Sequence, residues 1–346
     1  MQDHSSEPVG RHPGFIRLFG AWIVFGLVFG VGQGVHAQSS DSHELLQQMA
    51  TAIRSLDYQG SFVYQHAGRV DTLRVFHAGG GIERERLVSL NGPRSEVIRS
   101  GANVTCIQAD GSATVYTSSS GRGLLPLVPE AGNRQIGQHY EVRIAGKDRV
   151  AGYEADVIDV LPRDRFRYGY RLWLDHSTRF LLRSMVTDSE RRPLEQFMFV
   201  SLELGKLPSD TDLVPRQSEL LATTAAPPDE LELRGAPLWS VTEPPPGFSL
   251  SSARRPRNGV AGTEHLVYSD GLANVSIYVE PRDAKDEEKT TVAGRGTLNV
   301  YTTVDGEWRF TVLGDVPVLT VSTIARSIGR SVKDAAETHQ APTDVP

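Results

Sequence analysis

Residues 56–77 read LDYQGSFVYQHAGRVDTLRVFH, and within them the apolar spacing changes from helical to alternating. Phe62, Tyr64 and His66 fall on one face of an extended segment. Leu73, Val75 and His77 fall on one face of the next, because successive strand side chains point to opposite sides. Upstream, Leu45, Met49, Ile53 and Leu56 recur at helical spacing, behind Asp41 and Glu44 at the separation of an N-terminal capping box. A helix therefore leads into a sheet. Downstream, Gly79-Gly80-Gly81 turns, and Arg84 and Arg86 alternate with Glu83 and Glu85. Asn91-Gly92 and Asp110-Gly111 carry hairpin-turn signatures. The spacing predicts an antiparallel meander from Gly60 to about Gln108.

Residues 117–136 break that pattern with glycines, prolines and three consecutive serines, yet hold Leu124, Leu125, Leu127 and Val128. A long loop with apolar residues is either a lid over a binding surface or a plug in its own core. Strands resume at 140–144, 153–162, 168–174, 181–188 and 195–204. If residues 163–174 are all extended, Phe166, Tyr168, Tyr170, Leu172 and Leu174 share one face and Arg163, Arg165, Arg167 and Arg171 the other. That is a half-buried strand with a solvated basic face, or an apolar cavity wall with charges at its rim.

Five prolines within 208–237 predict a linker, since proline removes backbone donors. A second β-rich unit follows. Its hairpins turn at Asp270-Gly271 and Asp305-Gly306. A closing helix starts near Asp315 and Pro317, with Val318, Val321, Ile324, Ala325 and Ile328 as its buried stripe. The polar and basic stretch 251–262 reads as an extended loop. At the N-terminus, Arg11 and Arg17 precede the uncharged run LFGAWIVFGLVFGV, and Val35-His36-Ala37 is a small-x-small cleavage site. The expected division is a signal peptide at 1–37, a first domain at 38–207, a linker at 208–237, a second domain at 238–330 and a disordered tail at 331–346.

A formal charge of -6 makes the chain a poor generic binder of nucleic acid or anionic membrane. Cys106 is the only cysteine, so no internal disulfide forms, and no lipid-anchored cysteine follows the signal. No phosphate loop, nucleophile elbow or zinc helix is present, and Gly294-Arg295-Gly296 lacks the third glycine of a dinucleotide fingerprint. The ten histidines have no metal-ligand spacing, although His66 and His77 lie on neighbouring strands. Glu83, Glu85, Asp156 and Asp159 are acidic residues on strands, the weakest basis for glycoside chemistry. No cofactor, no metal and no catalytic residue is expected. The pattern favours a binding protein over a hydrolase.

Several segments resemble the MucB/RseB family: residues 56–77, then 83–99 (ERERLVSLNGPRSEVIR), 265–280 (HLVYSDGLANVSIYVE) and 314–328 (GDVPVLTVSTIARSI). Residues 168–175 (YGYRLWLD) are also similar in pattern to the lipoprotein carriers LolA and LolB. The resemblance implies a mainly β, α+β fold: a large curved antiparallel half-barrel covered by helices, and a smaller β-rich domain with a terminal helix. It implies a periplasmic regulator that binds the periplasmic region of a MucA/RseA-type anti-sigma factor and shields it from site-1 proteolysis. Lipopolysaccharide or a related lipid would release it, and in alginate producers it would restrain alginate synthesis. A carrier of lipoproteins or lipids is the alternative, and self-association stays open. The candidate lipid lining is Phe62, Tyr64, Leu73, Val75, Phe166, Tyr168, Tyr170 and Leu172, against a reading of the same residues as ordinary core. Arg84, Arg86, Arg163, Arg165 and Arg167 are candidates for an anionic headgroup. Tyr268, Tyr278, Trp308 and Arg309 are candidates for partner contact.

Overall fold

The computed structural model describes residues 35–117, 123–129, 136–215, 221–222, 230–257, 259–283 and 289–331. The expected signal peptide up to residue 34 and the tail beyond Ser331 lie outside the described residues. A helix, α1 (Val35–Ser55), begins before the expected cap at Asp41 and takes in Val35-His36-Ala37. No proline or glycine in residues 35–40 stops it there. Leu46, Met49, Ala52 and Ile53 are its buried stripe. Gly79 approaches the end of α1 so closely that a Cβ there would lie 2.4 Å from the Ser55 carbonyl oxygen.

Strands β1 (Tyr58–His66), β2 (Arg69–Ala78), β3 (Arg84–Ser89), β4 (Glu96–Ser100), β5 (Asn103–Ile107) and β6 (Ser112–Thr117) form the expected meander. After a short helix, α2 (Ile136–His139), come β7 (Tyr140–Val150), β8 (Tyr153–Pro162), β9 (Gly169–Asp175), β10 (Leu181–Thr187) and β11 (Pro193–Leu204). The two meanders join where β1 pairs antiparallel with β11. With β12 (Leu221–Ala222) added parallel to β6, one sheet holds twelve strands. Its core is aromatic: Phe62 packs edge-on against Phe197 and Phe199 at centroid distances of 5.7 and 5.5 Å. Phe199→Ala is expected to lower the unfolding free energy by about 3–5 kcal/mol, read by urea titration, because this packed centre cannot collapse around the void.

Residues 163–168 correct the sequence reading. They leave the sheet, and β9 starts only at Gly169. Asp164 Oδ1 accepts the Phe166 N–H at 2.9 Å, a local turn that competes with ladder pairing. The expected linker also contributes structure. Between its prolines lie β12 and β13 (Glu230–Glu232), which become edge strands of the two sheets.

The second sheet runs in the order β13, β15 (Ser249–Pro256), β16 (Glu264–Ser269), β17 (Asn274–Pro281), β20 (Trp308–Gly314), β19 (Leu298–Asp305), β18 (Thr291–Arg295). Residues 251–262, read as a loop, supply most of β15, which pairs with β13 and β16. The Asp270-Gly271 and Asp305-Gly306 turns fall where expected, with φ of +96° and +57° at the glycines. Helix α3 (Val318–Arg326) packs Val321 and Ile324 on the inner face of the sheet, against Ile277 and Val312. Val318, expected in that stripe, is exposed, and Ile328 lies beyond the helix in β21 (Ile328–Arg330), paired with β14 (Trp239–Val241). Among the described residues no helix is long and apolar enough to cross a membrane.

Candidate functional site

Alternation in the second sheet sends Leu266, Val275, Ile277 and Val279 toward α3 and leaves His265, Val267, Ser276 and Tyr278 on the other face. Val267 pairs with Ser276, and Ser276 with Leu313, so these three form a row across β16, β17 and β20. Opposite that row stand Ile53 of α1, Tyr170 of β9, Val186 of β10 and the apolar loop 123–129. The space between is a cleft of about 770 Å³. Arg254 of β15 and His265 add cationic and polar groups to its lining, while Leu125, Leu127, Val128 and Val186 make the first-domain wall apolar.

Two contact regions fasten the domains beside this cleft. In one, Arg167 is 1% exposed and lies between Asp164 at 3.2 Å and Asp270 at 3.3 Å. It also donates to the Pro246 carbonyl and lies over the Phe248 ring at 5.1 Å. Asp270 Oδ2 accepts the Tyr140 hydroxyl proton at 2.9 Å, and Oδ1 accepts the Leu272 and Ala273 amides at 2.9 and 2.8 Å. Burial, then the Asp270 charge, holds the Tyr140 hydroxyl well above its usual range. Burial, then Arg167, pushes the nearby His139 down. Each core also receives a residue from the other domain: Leu272 sits in the first core, and Phe166 packs against the second. Thr320 Oγ1 donates to the Phe166 carbonyl at 2.5 Å.

In the other region, Glu195 of β11 accepts the Tyr64 hydroxyl proton at 2.5 Å and the Thr297 amide at 2.7 Å. Gly296 has φ of +63°, and a Cβ on it would lie 1.7 Å from Glu195 Oε1. The Gly294-Arg295-Gly296 stretch, short of a dinucleotide fingerprint, is thus the turn that docks on Glu195. Asn299 Nδ2 donates to the Tyr168 hydroxyl at 3.1 Å nearby.

The MucB/RseB N-terminal domain family matches residues 41–219, and the MucB/RseB C-terminal domain family matches residues 234–329. The chain belongs to the MucB/RseB family. It is 33% identical over 301 residues to the sigma factor AlgU regulatory protein MucB of Pseudomonas aeruginosa, covering 84% of this chain and 92% of that one. It is 28% identical over 291 residues to the sigma-E factor regulatory protein RseB of Escherichia coli K12, covering 83% and 90%. A crystal structure of MucB in complex with MucA(peri) matches with a TM-score of 0.64 at 28% identity, covering 84% of this chain and all of that one. The complex structure of Pseudomonas aeruginosa MucA/MucB matches with a TM-score of 0.65 at 29% identity, covering 84% and 99%. The family resemblance read from the sequence is therefore confirmed, as is the mainly β fold with a larger and a smaller sheet.

In this MucB/RseB chain the residues singled out from sequence are dispersed. Of the eight lining candidates, Tyr170 faces the cleft. Phe62, Val75 and Leu172 are fully buried in the first core, with Leu73 packed against it. Tyr64 and Tyr168 serve the Glu195 and Asn299 contacts, and Phe166 serves the second core. Arg86 is buried and donates twice to Glu96, at 2.8 and 3.0 Å. It and Arg167 are closed to any headgroup by carboxylates already in place. Arg84 pairs with Asp210 at 2.9 Å, and Arg163 and Arg165 are exposed. Tyr268 is buried and accepts the Val241 amide, Trp308 packs on Trp239 at 5.3 Å, and Arg309 pairs with Glu280 at 2.9 Å. Tyr278 stays half-exposed on the open face, stacked on His265 at 4.2 Å.

His66 and His77 do not meet: in the β1–β2 register His77 stands opposite Tyr58 and His66 opposite Arg69, at the two ends of the hairpin. His77, Glu83 and Glu85 do bring ligand-type atoms within 4.8 Å of one another. Arg99 already supplies a cation there, 2.7 Å from Glu85. The cleft residues Arg254, His265, Val267 and Ser276 do not stand out as a group in the sequence. The alternation of 265–280 does signal that half of that hairpin faces away from the core.

Proposed function

We propose that this protein is a non-catalytic periplasmic regulator whose domain-junction cleft holds an apolar segment from the periplasmic region of a MucA/RseA-type anti-sigma factor. Occupancy shields that segment from a site-1 protease and keeps the envelope-stress sigma factor sequestered, restraining alginate synthesis where the organism makes it. The supporting observation is the cleft itself, in a chain similar along both domains to a MucB seen with MucA(peri). A lipid with acyl chains, such as lipopolysaccharide, competes for the same space. Its chains lie against Leu125, Leu127, Val128 and Val186, and its phosphates against Arg254. Each buried methylene contributes about 0.8 kcal/mol, so a few suffice to displace a protein segment. The two ligands then weaken each other by the same factor.

The carrier reading is not adopted, because the inner face of the first sheet is filled by Phe62, Phe197 and Phe199. The deciding experiment is proteolysis of the purified anti-sigma periplasmic domain by its site-1 protease. Cleavage should slow when this protein is added and recover when lipopolysaccharide follows. Equal cleavage with and without the protein would remove the regulatory reading, and recovery of many lipoproteins in its place would revive carriage.

A further inference from the structure

Residues 123–129 are the first-domain wall of the cleft; Leu125, Leu127 and Val128 pack on the first core, and among the described residues two hydrogen bonds attach the segment to the sheet. Glu85 Oε2 accepts the Leu124 amide at 3.1 Å, and Ser184 Oγ donates to the Leu127 carbonyl at 2.8 Å. Leu127 has φ of +56°, a conformation that favours glycine, so the wall is held against local strain. Glu85 itself is fully buried. Arg99 Nε donates to the same Oε2 at 2.7 Å, while Oε1 has no hydrogen-bond partner among the described residues. Oε1 lies 4.0 Å from His77 Nε2, and a Cβ on Gly123 would be 3.1 Å from it. Arg99 also reaches Glu83, which lies 3.1 Å from His77 Nε2, and Tyr58 stacks on His77.

A buried carboxylate with one oxygen unpartnered among the described residues is costly, and the sheet alone does not require one here. The neighbouring Arg86–Glu96 pair also links β3 to β4, and no hydrogen bond from it reaches the described part of the loop. What distinguishes Glu85 is its hold on the Leu124 amide. We propose that Glu85 is a positioning residue that fastens residues 123–129 as the movable wall of the cleft. Release of that amide lets the wall leave the sheet, enlarging the cleft and uncovering more of Tyr170, Val186 and Ile53. The consequence for binding rests on the proposed function; the fastening does not.

Hydrogen exchange at the amides of Leu124, Leu125, Leu127 and Val128 in the full chain, without partner or lipid, tests it. Glu85→Ala should speed these amides about tenfold, the loss of one hydrogen bond to a charged acceptor. Glu85→Gln keeps a carbonyl acceptor and should restore rates to within about threefold of the unaltered protein. Glu96→Gln disturbs a comparable buried pair and should leave the loop unchanged. Ser184→Ala severs the second attachment without touching a buried charge, and should also accelerate the loop alone. This last variant carries the test should Glu85→Ala fail to fold. Loop rates unchanged in Glu85→Ala and in Ser184→Ala, or an equal acceleration across the first sheet in Glu96→Gln, would overturn the proposal.

Discussion

Arg167→Ala is expected to lower the unfolding free energy by about 3–5 kcal/mol, the usual cost of removing one partner from a buried ion pair. The guanidinium is 1% exposed and is the cation facing both Asp164 and Asp270 in this junction. Its loss leaves Asp270 with the Tyr140 hydroxyl and two amides but no counter-charge. It also empties the space over the Phe248 and Tyr140 rings. The damage lies at the domain boundary, so thermal unfolding should broaden or split into two transitions as the sheets lose one of their two fastenings. Arg171→Ala is the contrast. Arg171 pairs with Asp159 at 2.6 Å, but its side chain is 44% exposed, so its loss should cost about 1 kcal/mol or less. The double change Arg167→Met with Asp270→Asn should recover part of the deficit. The amide side chain keeps an acceptor for the turn N–H groups and no longer buries a lone charge. A loss under about 1 kcal/mol for Arg167→Ala would mean that the junction is wet and the pair is not structural.

The elements that could be read from sequence are those whose cause is local. The Asp270-Gly271 and Asp305-Gly306 hairpins follow from turn chemistry, and the β1–β2 pairing follows from alternation over residues 58–77. The elements that escaped are decided by distant partners. Residues 163–168 alternate well enough to be a strand. Arg167 and Phe166 are drawn instead into contact with Asp270 and Thr320, more than a hundred residues downstream. Gly296 reads as part of a failed nucleotide motif because nothing in sequence shows Glu195 beside it. Phe62, Val75 and Leu172 among the lining candidates are apolar and inward, as their spacing says, but they pack in a core already filled by Phe180, Phe197 and Phe199. The open space lies between the domains, where no single segment's periodicity points.

Ser276→Trp should reduce binding of the anti-sigma periplasmic domain about 100-fold, or about 2.7 kcal/mol, with little change in stability. Ser276 sits between Val267 and Leu313 on the open face, half-exposed and lining the cleft. An indole there fills space that the partner segment needs, a steric exclusion that leaves the α3 side of the sheet untouched. Val200→Trp, at an exposed position of β11 outside the cleft, should bind normally and so control for a general effect of added bulk. Titration calorimetry with the anti-sigma domain reads the first effect, and displacement by lipopolysaccharide reads a second. If both ligands use this space, the same tryptophan must weaken both. Partner binding lost with lipid binding intact would separate the two sites and make the competition conformational, acting through the Arg167 and Glu195 contacts. Full-strength partner binding by a folded Ser276→Trp protein would place the anti-sigma segment elsewhere, because an indole at this lining position projects into the cleft.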